Sequence, residues 1–289
     1  MQNPFTTLVS IDELNRELKL PNWVVIDCRF SLANTSQGEV HFQQSRIPGA
    51  RYAHLDKHLS GPVITGVTGR HPLPDASVLE TQFRHWGINN DSQIVAYDDK
   101  TGAIASRLWW LCRWLGHEAC AVLNGGFHAW KNADLALETA DAIVTNPGSA
   151  LGQFQQSQSV TSVIKKHQIL DPSLCLLDAR ENERYRGEHE PIDPVAGHIP
   201  GALNAPFMEN VKADGTFLSV DELQQRFDPI IAQSKDKQLV HYCGSGVTAT
   251  HNMLAMAHAQ TDPGALYVGS FSEWVCVNDE RFPVANLAD

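Results

Sequence analysis

The sequence predicts an α/β chain of two tandem domains, each a mostly parallel sheet with helices on both faces. Two observations carry this. Short apolar runs bounded by turn residues alternate with stretches of helical periodicity along the whole chain. Four of these segments then recur in the same order roughly 150 residues later, a period far too long for a solenoid repeat. A chain of 289 residues, 43% hydrophobic and 19% charged, is long enough for two such domains with real cores.

In the first half, Ser10 precedes Ile11-Asp12-Glu13, the signature of a capped helix start. Trp23 to Arg29 is an apolar run ending in polar residues, as expected of a buried parallel strand. Arg46-Ile47-Pro48-Gly49-Ala50 is a turn set by Pro and Gly, and residues 58–74 read as a loop. Asp75 to Trp86 reads as a helix and Gln93 to Asp98 as a second buried strand. A helix follows through Ser106 to Trp114, whose Trp residues at helical spacing are expected to be core. Ala121 to Trp130 reads as a strand, a glycine turn and a short helix.

The second half repeats this order. Leu174 to Arg180 matches the strand ending at Arg29, and His198 to Ala202 matches the Pro-Gly turn. Gln238 to Cys243 matches Gln93 to Asp98, and Tyr267 to Trp274 matches the glycine turn and its helix. Asn146 to Ser157, rich in Gly, Gln and Ser and nearly free of charge, reads as a linker. The expected boundaries are a first domain over 1–145, a linker over 146–158 and a second domain over 159–289. Asp27, Arg29, Asp178 and Arg180 are expected to tie strand ends to loops by charged hydrogen bonds.

The formal net charge of −11 argues against nonspecific binding to nucleic acid or to an anionic membrane. No apolar run reaches membrane-spanning length, and residues 1–7 lack a basic stretch leading into an apolar one, so the expected compartment is the cytoplasm. Six cysteines form no Cys-x-x-Cys pair, and thirteen histidines show no ligand spacing, so neither a metal nor another cofactor is expected.

One cysteine stands apart. Cys243 ends an apolar strand and is followed by Gly244-Ser245-Gly246-Val247-Thr248-Ala249, where a helix opens. Ligands of parallel sheets bind beyond the carboxyl ends of the strands. There, loop amides and a helix N-terminus both favour negative charge. A core cysteine would sit within a strand or on an apolar helix face, so Cys243 is expected to be a nucleophile. The matching position in the first half is Asp98, so that copy cannot perform thiol chemistry there.

The Asp-x-Arg strand ends, the Ile-Pro-Gly-Ala turns, Gly125-Gly126-Phe127 to Trp130 and Gly269-Ser270-Phe271 to Trp274 together resemble the two-domain rhodanese sulfurtransferases. The match spans nearly the whole chain. The loop Cys243 to Ala249 resembles the version of the family that takes sulfur from 3-mercaptopyruvate, whereas the thiosulfate users carry basic residues directly after the cysteine. The uncharged loop agrees, since a doubly charged thiosulfate should favour cationic side chains.

The resemblance implies two rhodanese-like domains, the first catalytically silent. It also implies transfer of sulfane sulfur through a Cys243 persulfide, with release of pyruvate. The acceptor would be a thiol, such as thioredoxin or glutathione, or cyanide. It implies proton handling by Ser245 with His71 and Asp56 from the first half, and substrate binding by Arg184 with the loop residues Gly244, Gly246, Val247 and Thr248. The second family arginine falls where this chain has Asp193, which leaves thiosulfate open as the donor, with Arg186 as a conceivable substitute.

Plainer readings exist for His71 as a solvated loop histidine and for Arg184 as a partner of Glu181, Glu183 or Glu188. The loop also fits a dinucleotide pattern, but only Asp262 lies near the expected acidic position, in a turn. A Cys-dependent phosphatase would need an arginine where Ala249 stands. A persulfide carrier without turnover is the remaining rival.

Overall fold

The computed structural model describes residues 4–139 and 151–286. The chain divides into two compact units, and each takes in a segment from the other half of the sequence. The first is Met1–Ser60, Pro74–Val160 and Ala213–Phe217; the second is Gly61–Leu73, Thr161–Lys212 and Leu218–Asp289. The expected first domain therefore loses residues 61–73 to the second unit.

The first unit runs β1 (Leu8–Val9), α1 (Ile11–Glu17), β2 (Trp23–Asp27), α2 (Gln37–Gln44), β3 (Arg51–Tyr52), α3 (Leu55–His58), α4 (Ala76–His85), β4 (Gln93–Tyr97), α5 (Ala105–Trp114), β5 (Cys120–Leu123) and α6 (Gly126–Asn132). Its strands form one parallel sheet in the order β1-β5-β4-β2-β3. The central strand β4 is buried along its whole length, as its unbroken apolar run predicts. The helix starts follow their sequence signals. Ser10 and Glu13 form a reciprocal capping box, and the Asp75 carboxylate accepts from the amides of Ser77 and Val78. Trp109 and Trp110 are core residues as expected, whereas Trp114 is only half-buried.

The second unit runs β6 (Ser162–Ile164), β7 (Leu174–Asp178), α7 (Asn182–Arg186), β8 (Leu203–Asn204), α8 (Val220–Ser234), β9 (Gln238–Tyr242), α9 (Ala249–His258), β10 (Ala265–Tyr267) and α10 (Ser270–Trp274). Its sheet is also parallel, in the order β6-β10-β9-β7-β8. That is the first sheet's order again, element for element, so the duplication is one of fold.

A buried ion pair closes the same strand in both sheets. Arg29 reaches back to Asp27 through Nε at 2.9 Å and Nη2 at 2.6 Å and donates to the Ser45 carbonyl at 2.7 Å. Arg180 does the same with Asp178, at 3.0 and 2.6 Å, and with the Gly197 carbonyl at 2.7 Å. Each guanidinium lies over a phenylalanine ring, Phe127 at 4.1 Å and Phe271 at 4.0 Å. Removing one partner of such a pair would strand a buried charge, a loss of about 3–5 kcal/mol.

The loop after β4 carries its own anion. The Asp98 side chain accepts from four backbone amides: Lys100 at 3.1 Å and Gly102 at 2.9 Å on Oδ1, Ile104 at 2.8 Å and Ala105 at 3.2 Å on Oδ2. A ring of amides that would otherwise point at an empty space is filled by one carboxylate.

The expected linker over 146–158 is only partly described, since 146–150 lie outside the described residues. From Leu151 onward it packs on the first unit. Phe154 is buried against Phe83 with ring centroids 5.0 Å apart, and the Gly152 and Ser157 amides donate to the carbonyls of Arg84 and Leu115. Polar composition concealed a single aromatic anchor. Among the described residues, no helix is long and apolar enough to cross a membrane.

Two expectations follow. Asp98→Ala should lower stability by roughly 3 kcal/mol, with Asp98→Asn intermediate, because four amides lose their acceptor together. Calorimetry of the full chain reads this, and an unmoved transition would mean that the carboxylate does not organise the loop. The second concerns His241, mid-strand in β9, whose pKa burial pushes down to about 4. An unfolded histidine titrates near about 6.5, so below that the unfolded chain binds a proton that the fold refuses. Its contribution to stability is complete above about pH 6.5 and falls by about 1.4 kcal/mol per pH unit toward pH 4. The urea midpoint should therefore drop between pH 7 and pH 5, and drop less in His241→Leu. Equal drops would assign the acid sensitivity to other groups.

Candidate active site

Cys243 follows the last residue of β9, at the carboxyl end of a central strand, and is 2% exposed. Its backbone is pinned from both sides. The Cys243 amide donates to Ser270 Oγ at 3.1 Å, and its carbonyl accepts from the Phe271 amide at 3.0 Å. Ser270 holds φ +54°, a left-handed conformation that costs a non-glycine residue about 1 kcal/mol. Gly126 has φ +59° at the matching place in the first unit, where no such hydroxyl is present. In Ser270 the side chain compensates: it takes the Cys243 amide and donates to the Tyr267 carbonyl at 3.0 Å.

The loop turns around the sulfur. The Gly246 amide donates to Cys243 Sγ at 3.1 Å. Gly246 has φ +77°, and a β-carbon there would run into the Val268 carbonyl, so the turn requires glycine. Val247 is buried, and Thr248 precedes α9, whose N-terminus therefore faces the loop.

Ser245, two residues after the cysteine, is buried, and its Oγ lies 2.7 Å from His71 Nδ1. His71 is 4% exposed, not a solvated loop residue. It belongs to the segment 61–73, which packs within the second unit. The Arg70 amide donates to Ser272 Oγ at 3.1 Å, and Gly69 lies so close to the Gly269 carbonyl that a β-carbon would not fit. Asp56 lies on α3 of the first unit, where its amide donates to His54 Nδ1 at 3.1 Å.

Arg184, on α7, does pair with the exposed Glu181, at 4.0 Å, as its plainer reading expects, but its closer partners are buried. Its Nε and Nη2 engage Glu190 at 3.1 and 2.9 Å, and Nη2 also reaches Asp193 at 3.2 Å. Asp193 in turn pairs with Arg70. Burial raises the Asp193 carboxyl above its ordinary range, against the pull of Arg70. Burial would raise Glu190 as well, but Arg184 and the Asp193 and Ile192 amides bring it below. A β-carbon built on Gly244 would come within 2.8 Å of Arg70 Nη2 and 3.5 Å of Arg184 Nη2, so two guanidinium heads lie over the residue after Cys243. Arg186, by contrast, pairs with Glu188 at 2.9 Å at the surface.

The structure thus brings together Cys243, Gly244, Ser245, Gly246, His71 and Arg184 in one unit. Arg70, Asp193 and Glu190 join them and were not read from the sequence as site residues. The signal for Arg70 was its place directly before His71.

The rhodanese-like domain model matches residues 10–133 and 160–275. The chain is 47% identical over 279 residues to a protein of Pseudomonas aeruginosa named probable 3-mercaptopyruvate sulfurtransferase, covering 96% of this chain and 97% of that one. It is 31% identical to the thiosulfate sulfurtransferase of Rattus norvegicus, over 88% and 85% of the two chains. Among solved structures, the 3-mercaptopyruvate sulfurtransferase from Leishmania major superposes with a TM-score of 0.82 at 27% identity, covering 97% of this chain and 77% of that one. The repeated fold, the paired strand ends and these likenesses agree: the chain belongs to the rhodanese family, with two rhodanese-like domains in tandem.

Proposed function

We propose that this protein is a 3-mercaptopyruvate sulfurtransferase working through a persulfide on Cys243. The observation that carries the reading is the Ser245–His71 hydrogen bond of 2.7 Å in the same loop that holds the cysteine. A protein that only stored sulfur would need the thiol and its amide cradle, but not a buried hydroxyl–imidazole pair beside them.

In the proposed reaction the Cys243 thiolate attacks the sulfur of the donor. The carbon–sulfur bond breaks, and its electron pair leaves as the enolate of pyruvate. The proton from the donor sulfur ends on carbon 3, so Cys243 is left as a persulfide anion and pyruvate departs. The Ser245 hydroxyl, backed by His71, is the group we assign to that proton transfer. The Gly246 amide and the α9 N-terminus favour negative charge at the sulfur before and after the transfer. A thiol such as thioredoxin or glutathione, or cyanide, then removes the outer sulfur.

Charge supports the singly charged donor over thiosulfate. The loop brings no cation of its own. Arg70 and Arg184 come to Gly244 from elsewhere, but with Glu190 and Asp193 as counter-ions, so the four groups are formally neutral. A lone carboxylate suits such a site better than a dianion.

Cys243→Ser should abolish sulfur transfer and leave the far-ultraviolet circular dichroism unchanged; residual turnover would refute the nucleophile. Ser245→Ala and His71→Ala should each lower kcat with 3-mercaptopyruvate by about 10²- to 10⁴-fold, with little loss of melting temperature. Wild-type rates in both would remove the proton relay. The wild-type kcat/KM should be higher for 3-mercaptopyruvate than for thiosulfate, and the reverse order would make this a thiosulfate sulfurtransferase.

A further inference from the structure

We propose that Arg70 is the residue that grips the carboxylate of the donor, with Asp193 as the anchor that aims it. The inference rests on the reading of Cys243 as the site of sulfur transfer.

The two guanidinium groups over Gly244 are not equivalent. Arginine grips a carboxylate best through two parallel N–H groups, and the Nε–Nη2 edge is one such pair. In Arg184 that edge is occupied, since Nε and Nη2 both donate to Glu190 and Nη2 also donates to Asp193. In Arg70 the Nε of that edge is buried and has no acceptor among the described residues. Nη1 is taken by Asp193 and Nη2 lies against Gly244. A buried donor without an acceptor is disfavoured, and a carboxylate seated above Gly244 would supply what is missing.

The anchor is equally specific. The Asp193 side chain is 1% exposed and holds Arg70 with one oxygen and Arg184 with the other. Its own amide donates to Glu190 Oε1 at 3.0 Å. Asp193 stands where the family resemblance leads one to expect a second arginine. A positive charge is absent there, and another arrives at position 70 from a different part of the chain. Asp193 thus becomes the counter-ion of the arginine that replaces the missing one. The first reading of this residue, as a mark against a carboxylate donor, is reversed.

The test compares wild type with Arg70→Gln and Arg70→Lys, using 3-mercaptopyruvate as donor and cyanide as acceptor. Both variants should raise KM for the donor by about 10- to 100-fold, the range for losing charged hydrogen bonds, with kcat changed less than about threefold. Lysine should fail like glutamine, because it keeps the charge facing Asp193 but lacks the two-pronged edge. A purely structural Arg70 would act through its neighbour His71. It would lower kcat, and lysine would largely rescue it.

Pyruvate titrated calorimetrically into wild type and Arg70→Gln decides the matter independently of turnover. A matching loss of pyruvate affinity supports the inference, and equal affinity overturns it. Should the wild type fail to use 3-mercaptopyruvate, the donor reading falls, and the pyruvate titration still judges Arg70.

Discussion

A buried chain of alternating charges holds the second unit's site together. It starts at the end of β7 with Asp178 and Arg180, passes to Glu190 at 3.2 Å, and continues through Arg184 and Asp193 to Arg70. Each member satisfies a neighbour that would be costly to bury alone, so no link can be removed without exposing the next. The chain carries structural order from the sheet to Gly244, the residue after Cys243. It also accounts for where His71 sits. The ion pair at Arg70 and the bond from the Arg70 amide to Ser272 fasten the 61–73 segment, and the imidazole follows. The first unit has the root of the same arrangement, Asp27 with Arg29, but there Arg29 ends on a backbone carbonyl, Ser45.

The two loops at the carboxyl ends of β4 and β9 solve one problem in two ways. Both curl so that a backbone amide donates to the side chain at the end of the strand. In the first the acceptor is a carboxylate with four donors; in the second it is a sulfur with the Gly246 amide at 3.1 Å. The nearby glycine turn also diverged. Where the first unit has Gly126, the second has Ser270, whose hydroxyl bonds the Cys243 amide at the expense of a left-handed backbone. A locally unfavoured residue stands where it fixes the backbone of Cys243, the pattern expected of a functional position.

Much of this was legible in the sequence, because it is written in short-range patterns. Apolar runs marked the strands, Ser10 and Asp75 marked helix starts, and the order of matched segments marked the duplication. Cys243 declared itself through Gly244, Ser245 and Gly246, residues too small for a core. What could not be read depends on pairing across long separations. Arg70 and Asp193 are 123 positions apart, so no local window contains their contact; His71 and Ser245, 174 apart, were paired only through the family resemblance. Arg186 was the substitute that the sequence suggested for the missing arginine, and the structure pairs it with Glu188 at the surface instead. The linker misled through composition, since one buried Phe154 outweighs the Gly, Gln and Ser around it.

Asp98 has a consequence beyond loop order. A carboxylate attached to the chain a few bonds from its binding amides is present at a very high effective concentration, while dissolved anions are seldom above the millimolar range. Sulfide, sulfite or phosphate cannot compete for that cradle. Of the two matching loops, the first is plugged by its own carboxylate, while the second turns around the Cys243 sulfur. On the proposed reading of Cys243, the first unit's loop therefore offers transferred sulfur no second place to bind.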